Sequence, residues 1–139
     1  MTKPMQVSLR AGSRIYINGA VVRVDRKVTL ELLNDVAFLL ESHVLQADET
    51  TTPLRQLYFV LQTILMDPVN AAASRRLFNV VFDSTLGSFS NEIVVSGLKS
   101  VAALVTDDRI FDALRTIRGL FATEEKILSP DSALASKAA

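Results

Sequence analysis

The sequence predicts an α+β fold: a small N-terminal antiparallel β-meander followed by a C-terminal bundle of three to four α-helices. Three observations carry that prediction. Apolar residues alternate with a period of two through the first forty residues. From residue 53 onward they recur at spacings of three and four, the period of a helix face. Between them, Asn18-Gly19 is the dipeptide that favours a two-residue type I′ hairpin turn, because both central residues need positive φ.

The strands come first. In Gln6-Val-Ser-Leu-Arg10, Val7 and Leu9 point one way while Ser8 and Arg10 point the other. Arg14-Ile-Tyr-Ile17, Val22-Arg-Val24 and Val28-Thr-Leu-Glu-Leu32 keep the alternation. Asp25-Arg26-Lys27 reads as the loop from the second strand of the hairpin to the next. Five apolar residues in a row, Val36-Ala-Phe-Leu-Leu40, fit a further strand or the start of a helix; the strand is preferred, with Asn34-Asp35 as the turn before it.

Helical signals then take over. Thr52-Pro53 reads as an N-cap followed by proline at the first helical position. Leu54, Leu57, Tyr58, Leu61, Ile64 and Leu65 fall on one face, and Phe59 and Val60 widen it, so this helix is placed at the centre of the core. Asp67-Pro68 ends it and starts a second helix marked by Leu77, Phe78, Val81 and Phe82, which fades near Gly87. Ser90 or Asn91 caps a third helix carrying Val94, Leu98, Val101, Ala102 and Val105. Thr106 is expected to cap a fourth, with Asp107 and Asp108 in its first turn and Ile110, Phe111, Leu114, Ile117 and Phe121 on its buried face.

This divides the chain into a β region over 1–50, a helical region over 51–127 and a small-residue tail over 128–139 expected to be disordered. With 139 residues, 49% of them apolar, the two regions have enough to share one core. There is no cysteine, which removes disulfides, thiolate metal sites and a cysteine nucleophile together. No stretch has the apolar length of a signal peptide or a transmembrane helix, so a cytoplasmic protein without membrane contact is expected.

The formal charge is zero, but it is sorted along the chain. Residues 1–30 hold Lys3, Arg10, Arg14, Arg23, Arg26 and Lys27 against the single acid Asp25. Residues 31–52 hold Glu31, Asp35, Glu41, Asp48 and Glu49 and no Lys or Arg. If Asn18-Gly19 is the turn, Ile15 faces Val22, Tyr16 faces Val21 and Arg14 faces Arg23. Two arginines directly opposite repel by a few tenths of a kcal/mol. Two readings stay open. Either Asp25 and Glu31 offset the pair locally, or Arg14, Arg23 and Arg10 grip the phosphates of a polyanion while Tyr16 stacks on a base.

Catalytic motifs do not present themselves. His43, the only histidine, has no cysteine or second histidine beside it, and no nucleophile-elbow serine exists. The five glycines form neither a dinucleotide fingerprint nor a phosphate loop. Asp107-Asp108 and Glu124-Glu125 imitate paired carboxylates, but helix-end charge explains both. The expectation is a protein that is not an enzyme and needs no metal or cofactor.

The run LRAGSRIYINGAVVRVDRKVTLELLNDVAFLLESHVLQ, followed by TTPLRQLYFVLQTILMDP, resembles the FlbT family of flagellum-biosynthesis regulators of alphaproteobacteria. The likeness covers residues 9–68, and its most specific strings are YINGAVVRVDRK and PLRQLYFVLQ. It implies post-transcriptional control of flagellin, usually repression, through association with the 5′ leader of flagellin messenger RNA. The family's companion protein FlaF acts opposite it in that circuit. On this implication Arg10, Arg14, Arg23, Arg26 and Lys27 would supply phosphate contacts and Tyr16 a stacking surface. The alternative is a protein-interaction adaptor acting through flagellin, FlaF or another regulator without touching RNA. The acidic stretch 31–52 and the apolar helix 54–65 favour that alternative.

The N-terminal half is also similar, more faintly, to the small β-protein CsrA, another messenger-leader binder built as a strand-exchanged homodimer. The similarity would make this chain a homodimer and put Arg10, at the end of the first strand, among the contacts. It breaks at Glu41 to His43, where the corresponding last strand here is acidic and lacks arginine.

Overall fold

The computed structural model describes residues 5–34 and 36–129. Five strands come first: β1 (Met5–Leu9), β2 (Arg14–Ile17), β3 (Ala20–Arg23), β4 (Val28–Leu32) and β5 (Phe38–Leu40). Four helices follow: α1 (Pro53–Met66), α2 (Ala71–Gly87), α3 (Glu92–Thr106) and α4 (Ile110–Leu128). This is the expected α+β architecture, with Val36–Leu40 contributing a strand as assigned. Asp35, half of the turn expected before β5, and the tail from 130 lie outside the described residues.

All strand pairs are antiparallel, and they form two small sheets. β1 pairs with β4 as a ribbon, while β2 lies between β3 and β5. In the hairpin Arg14 opposes Arg23 and Ile17 opposes Ala20, the register that the turn dipeptide dictates. Asn18 and Gly19 have φ of 47° and 86°, as a type I′ turn requires.

β2 is covered on both faces. Ile15 is fully buried with Val7, Leu9 and Phe38, in a small core closed by Val28, Leu30 and Leu32 of β4. Tyr16 and Leu39 turn the other way, onto the helical core. The three-stranded sheet is therefore a middle layer between the β1–β4 ribbon and the helices.

The helices pack as an open series, with α2 on α1, α1 on α4 and α4 on α3. Leu54, Leu57, Tyr58, Leu61 and Ile64 of α1 are buried at the centre, as their spacing predicts. Thr52 caps α1 by accepting the Arg55 N–H at 3.2 Å, and Asn91 caps α3 through the N–H groups of Ile93 and Val94. Phe78 faces the core from α2, but Leu77 beside it is exposed.

One helix boundary differs from expectation. Thr106 does not cap α4; it is the last residue of α3, its hydroxyl donating back to the Ala102 carbonyl. Asp107 and Asp108 form the stop rather than the first turn. Asp108 adopts φ 60°, and the Arg109 N–H reaches the Leu104 carbonyl at 2.8 Å while the Asp108 N–H reaches Val105. This is a Schellman closure with aspartate where glycine is usual. A Thr-Asp-Asp string reads as an N-terminal signal because its residue types favour caps. The left-handed stop it forms leaves no trace in apolar spacing.

Candidate nucleic-acid interface

Two connections, residues 10–13 between β1 and β2 and residues 24–27 between β3 and β4, converge at one end of the β-module. Leu9 opposes Val28, so Arg10 and Lys27 flank the same end of the β1–β4 ribbon. The turn after β1 closes through the Ser13 N–H on the Arg10 carbonyl, with Gly12 at φ 82°. It is stitched to the chain leaving β3 by two bonds: Gly12 N–H to the Val24 carbonyl at 2.8 Å, and Val24 N–H to the Ser13 carbonyl at 3.1 Å. Arg14 and Arg23 stand opposite each other beside those bonds. Arg10, Arg14, Arg23, Arg26 and Lys27 thus occupy one end of the module, and all five are exposed.

Among the described residues, the acids near the arginine pair form no ion pair with it. Asp25, the local offset that the sequence offers, forms its ion pair with Arg26 at 3.2 Å. The Arg26 hydrogen bond holds the Asp25 carboxyl below its ordinary pKa. Glu31 opposes Gln6, well into the ribbon. Glu41 follows β5 beside Arg14, but its carboxylate accepts the Arg14 backbone N–H at 3.1 Å. Among the described residues, no carboxylate forms an ion pair with Arg10, Arg14, Arg23 or Lys27.

Tyr16 is placed differently from the arginines. It shares their face of the hairpin, as the register requires, but there the face is roofed by helices and its ring is half-buried against the core. Alternation in a sequence assigns a face; it does not say where a second layer covers it.

A further cation, Arg118 of α4, lies near the chain that leaves β5. It donates to the Tyr58 hydroxyl at 2.9 Å, and that hydroxyl donates to the His43 carbonyl. Burial, with a smaller effect from Arg118, pushes the His43 imidazole pKa down. Burial pushes the Tyr58 hydroxyl up, and Arg118 partly opposes it. Sixty residues separate Tyr58 from Arg118, so no sequence spacing could have joined them.

A cavity of about 660 Å³ opens at the other end of the hairpin, between Asn18, Phe38, Ile64, Arg75 and Arg115. None of the candidate contact residues lines it. No helix among the described residues is long and apolar enough to cross a membrane.

Comparison with known proteins agrees with the N-terminal likeness and extends it. The family model described as "Flagellar protein FlbT" matches residues 5–128. A protein of Chelativorans sp. (strain BNC1) is 51% identical over 93% of this chain and 89% of its own length. One of Rhizobium johnstonii is 54% identical, and one of Agrobacterium fabrum 50%, each over 93% of this chain and 87% of the relative. All three bear the name "Probable flagellum biosynthesis repressor protein FlbT". No solved structure matches.

Proposed function

This chain belongs to the FlbT family, and from that premise we propose that it represses flagellum biosynthesis by binding the 5′ leader of flagellin messenger RNA. The observation that carries the reading is the arginine end of the β-module. Arg14 and Arg23 are held opposite each other without a neutralising carboxylate among the described residues, with Arg10, Arg26 and Lys27 around them. Such a like-charge pair costs a few tenths of a kcal/mol, and a bound polyanion would relieve it. A single-stranded leader would do so by exchanging its counterions for these side chains, and binding would weaken by about 0.7 in log–log salt slope per phosphate contact. Occupancy of the leader would then limit translation and alter message lifetime.

Tyr16 contributes the exposed part of its ring at most, so the contacts are chiefly ionic. They fit a backbone better than a base-edge code. The test is titration of purified protein onto a flagellin leader RNA at two salt concentrations. Wild type, Arg14→Ala/Arg23→Ala and the helix-surface control Lys99→Ala are compared. A saturable, leader-specific complex that the double variant weakens supports the reading. Absence of any such complex sinks it in favour of an adaptor acting through flagellin or FlaF. Equal binding by the double variant moves the contact to another surface.

A further inference from the structure

Helix α2 sits at the edge of the helical series with α1 as its main support, and only Phe78 and Thr85 of its 17 residues are buried. Its outer face is not the solvated polar surface an edge helix normally shows. Ala73, Leu77, Val80 and Ser84 are exposed at successive spacings of four, three and four, with Leu77 53% and Val80 69% exposed. That is the spacing of a helix-pairing seam. Two charges flank it on the same side, two turns apart: Arg76 and Asp83, both exposed. Neither forms an ion pair among the described residues.

We propose that this face is where two copies of the chain associate, with α2 packed antiparallel against α2 of a second copy about a two-fold axis between Leu77 and Val80. In that arrangement Leu77 meets the partner's Val80, and Ala73 meets the partner's Ser84. Antiparallel pairing also brings residues of the same flank together, so Arg76 meets the partner's Asp83 and Asp83 the partner's Arg76. One helix thus carries its own complement in both shape and charge, which is what an isologous interface requires. A parallel pair would set neither residue against an opposite charge. The occupant is therefore a second copy rather than an unrelated helix. A 17-residue helix offers a seam about 25 Å long. An interface of that size supports a monomer–dimer equilibrium at micromolar concentrations. The inference is independent of the RNA reading, because the arginine end lies on the β-module.

Sedimentation equilibrium of the full chain over about 5–500 µM tests it, a range that brackets micromolar association. The mass should rise from the 15.2 kDa of one chain towards twice that value. Leu77→Glu/Val80→Glu should stay monomeric while keeping the wild-type circular dichroism spectrum, with a melting profile that no longer depends on protein concentration. Arg76→Asp and Asp83→Arg should each raise the dissociation constant about tenfold, and the combined R76D/D83R variant should return it to the wild-type value. A wild type that stays monomeric overturns the proposal. So does a dimer indifferent to the seam variants, and so does a charge reversal that fails to restore association.

Discussion

Glu124, completely buried in α4, accepts the backbone N–H of Leu54 at 2.8 Å and so finishes the first turn of α1 from seventy residues away. Its other oxygen makes no hydrogen bond and faces Arg55 at 4.0 Å. The carboxylate is held by the positive end of α1 and one guanidinium.

Removing that carboxylate leaves a buried N–H without its acceptor and Arg55 without its inner partner. Glu124→Ala should cost about 2–4 kcal/mol, read from the urea midpoint at unchanged m-value. Glu124→Gln keeps an acceptor for Leu54 and should cost less than half as much. An alanine variant as stable as wild type would show that the first turn of α1 is held by Thr52 alone.

Arg14 and Arg23 predict opposite effects on two observables. Arg23→Glu turns a like-charge cross-strand pair into an opposite one and should raise stability by about 0.5 kcal/mol. The same change should weaken leader binding and flatten its salt dependence. Loss of stability together with binding would mean that Arg23 has a structural partner.

Two helical glycines should respond to alanine with opposite signs. At Gly119 an added Cβ meets nothing within 4 Å, so Gly119→Ala should stabilise α4 by about 1 kcal/mol through helix propensity alone. At Gly97 the new carbon would lie 2.7 Å from Cδ1 of Leu120, a buried side chain, and overpacking of about 1–3 kcal/mol should outweigh that gain. Thermal melts of the two variants decide it, and equal shifts would refute the close α3–α4 approach.

His43 gives a sign for pH. Its pKa is depressed in the folded chain, so the unfolded chain binds a proton more readily and stability rises with pH. The contribution is complete above about pH 6.5, the ordinary imidazole value. It is lost as pH falls from there through the lower folded value. A urea series across that window, repeated with His43→Gln, should show a flatter profile in the variant. Identical profiles would assign the slope to the carboxylates.

Local features were legible in the residues. The hairpin register, the Thr52 and Asn91 caps and the buried face of α1 all follow from neighbours within a few positions. What could not be read joins distant segments. The β1–β4 pairing, the roof over Tyr16, the reach of Arg118 to Tyr58 and the burial of Glu124 depend on which layers stack. Periodicity does not encode that. Leu77 shows a different limit: its spacing marks a helix correctly but cannot say whether the core or the outside receives it. For the arginines, alternation gave face and opposition, while the capture of Asp25 by Arg26 was a choice between neighbours that the sequence leaves equal.

Gln62 joins the two halves by a small device. Its buried amide accepts the Leu45 N–H at 3.0 Å and donates to the Leu45 carbonyl at 2.7 Å. A side chain thereby does for one residue what an adjoining strand would do. Leu45 belongs to no strand or helix, yet its amide hydrogen should exchange with solvent as slowly as those of the core. The segment between sheet and helices is accordingly a weld rather than a hinge, and a load applied at the hairpin would be felt in α1.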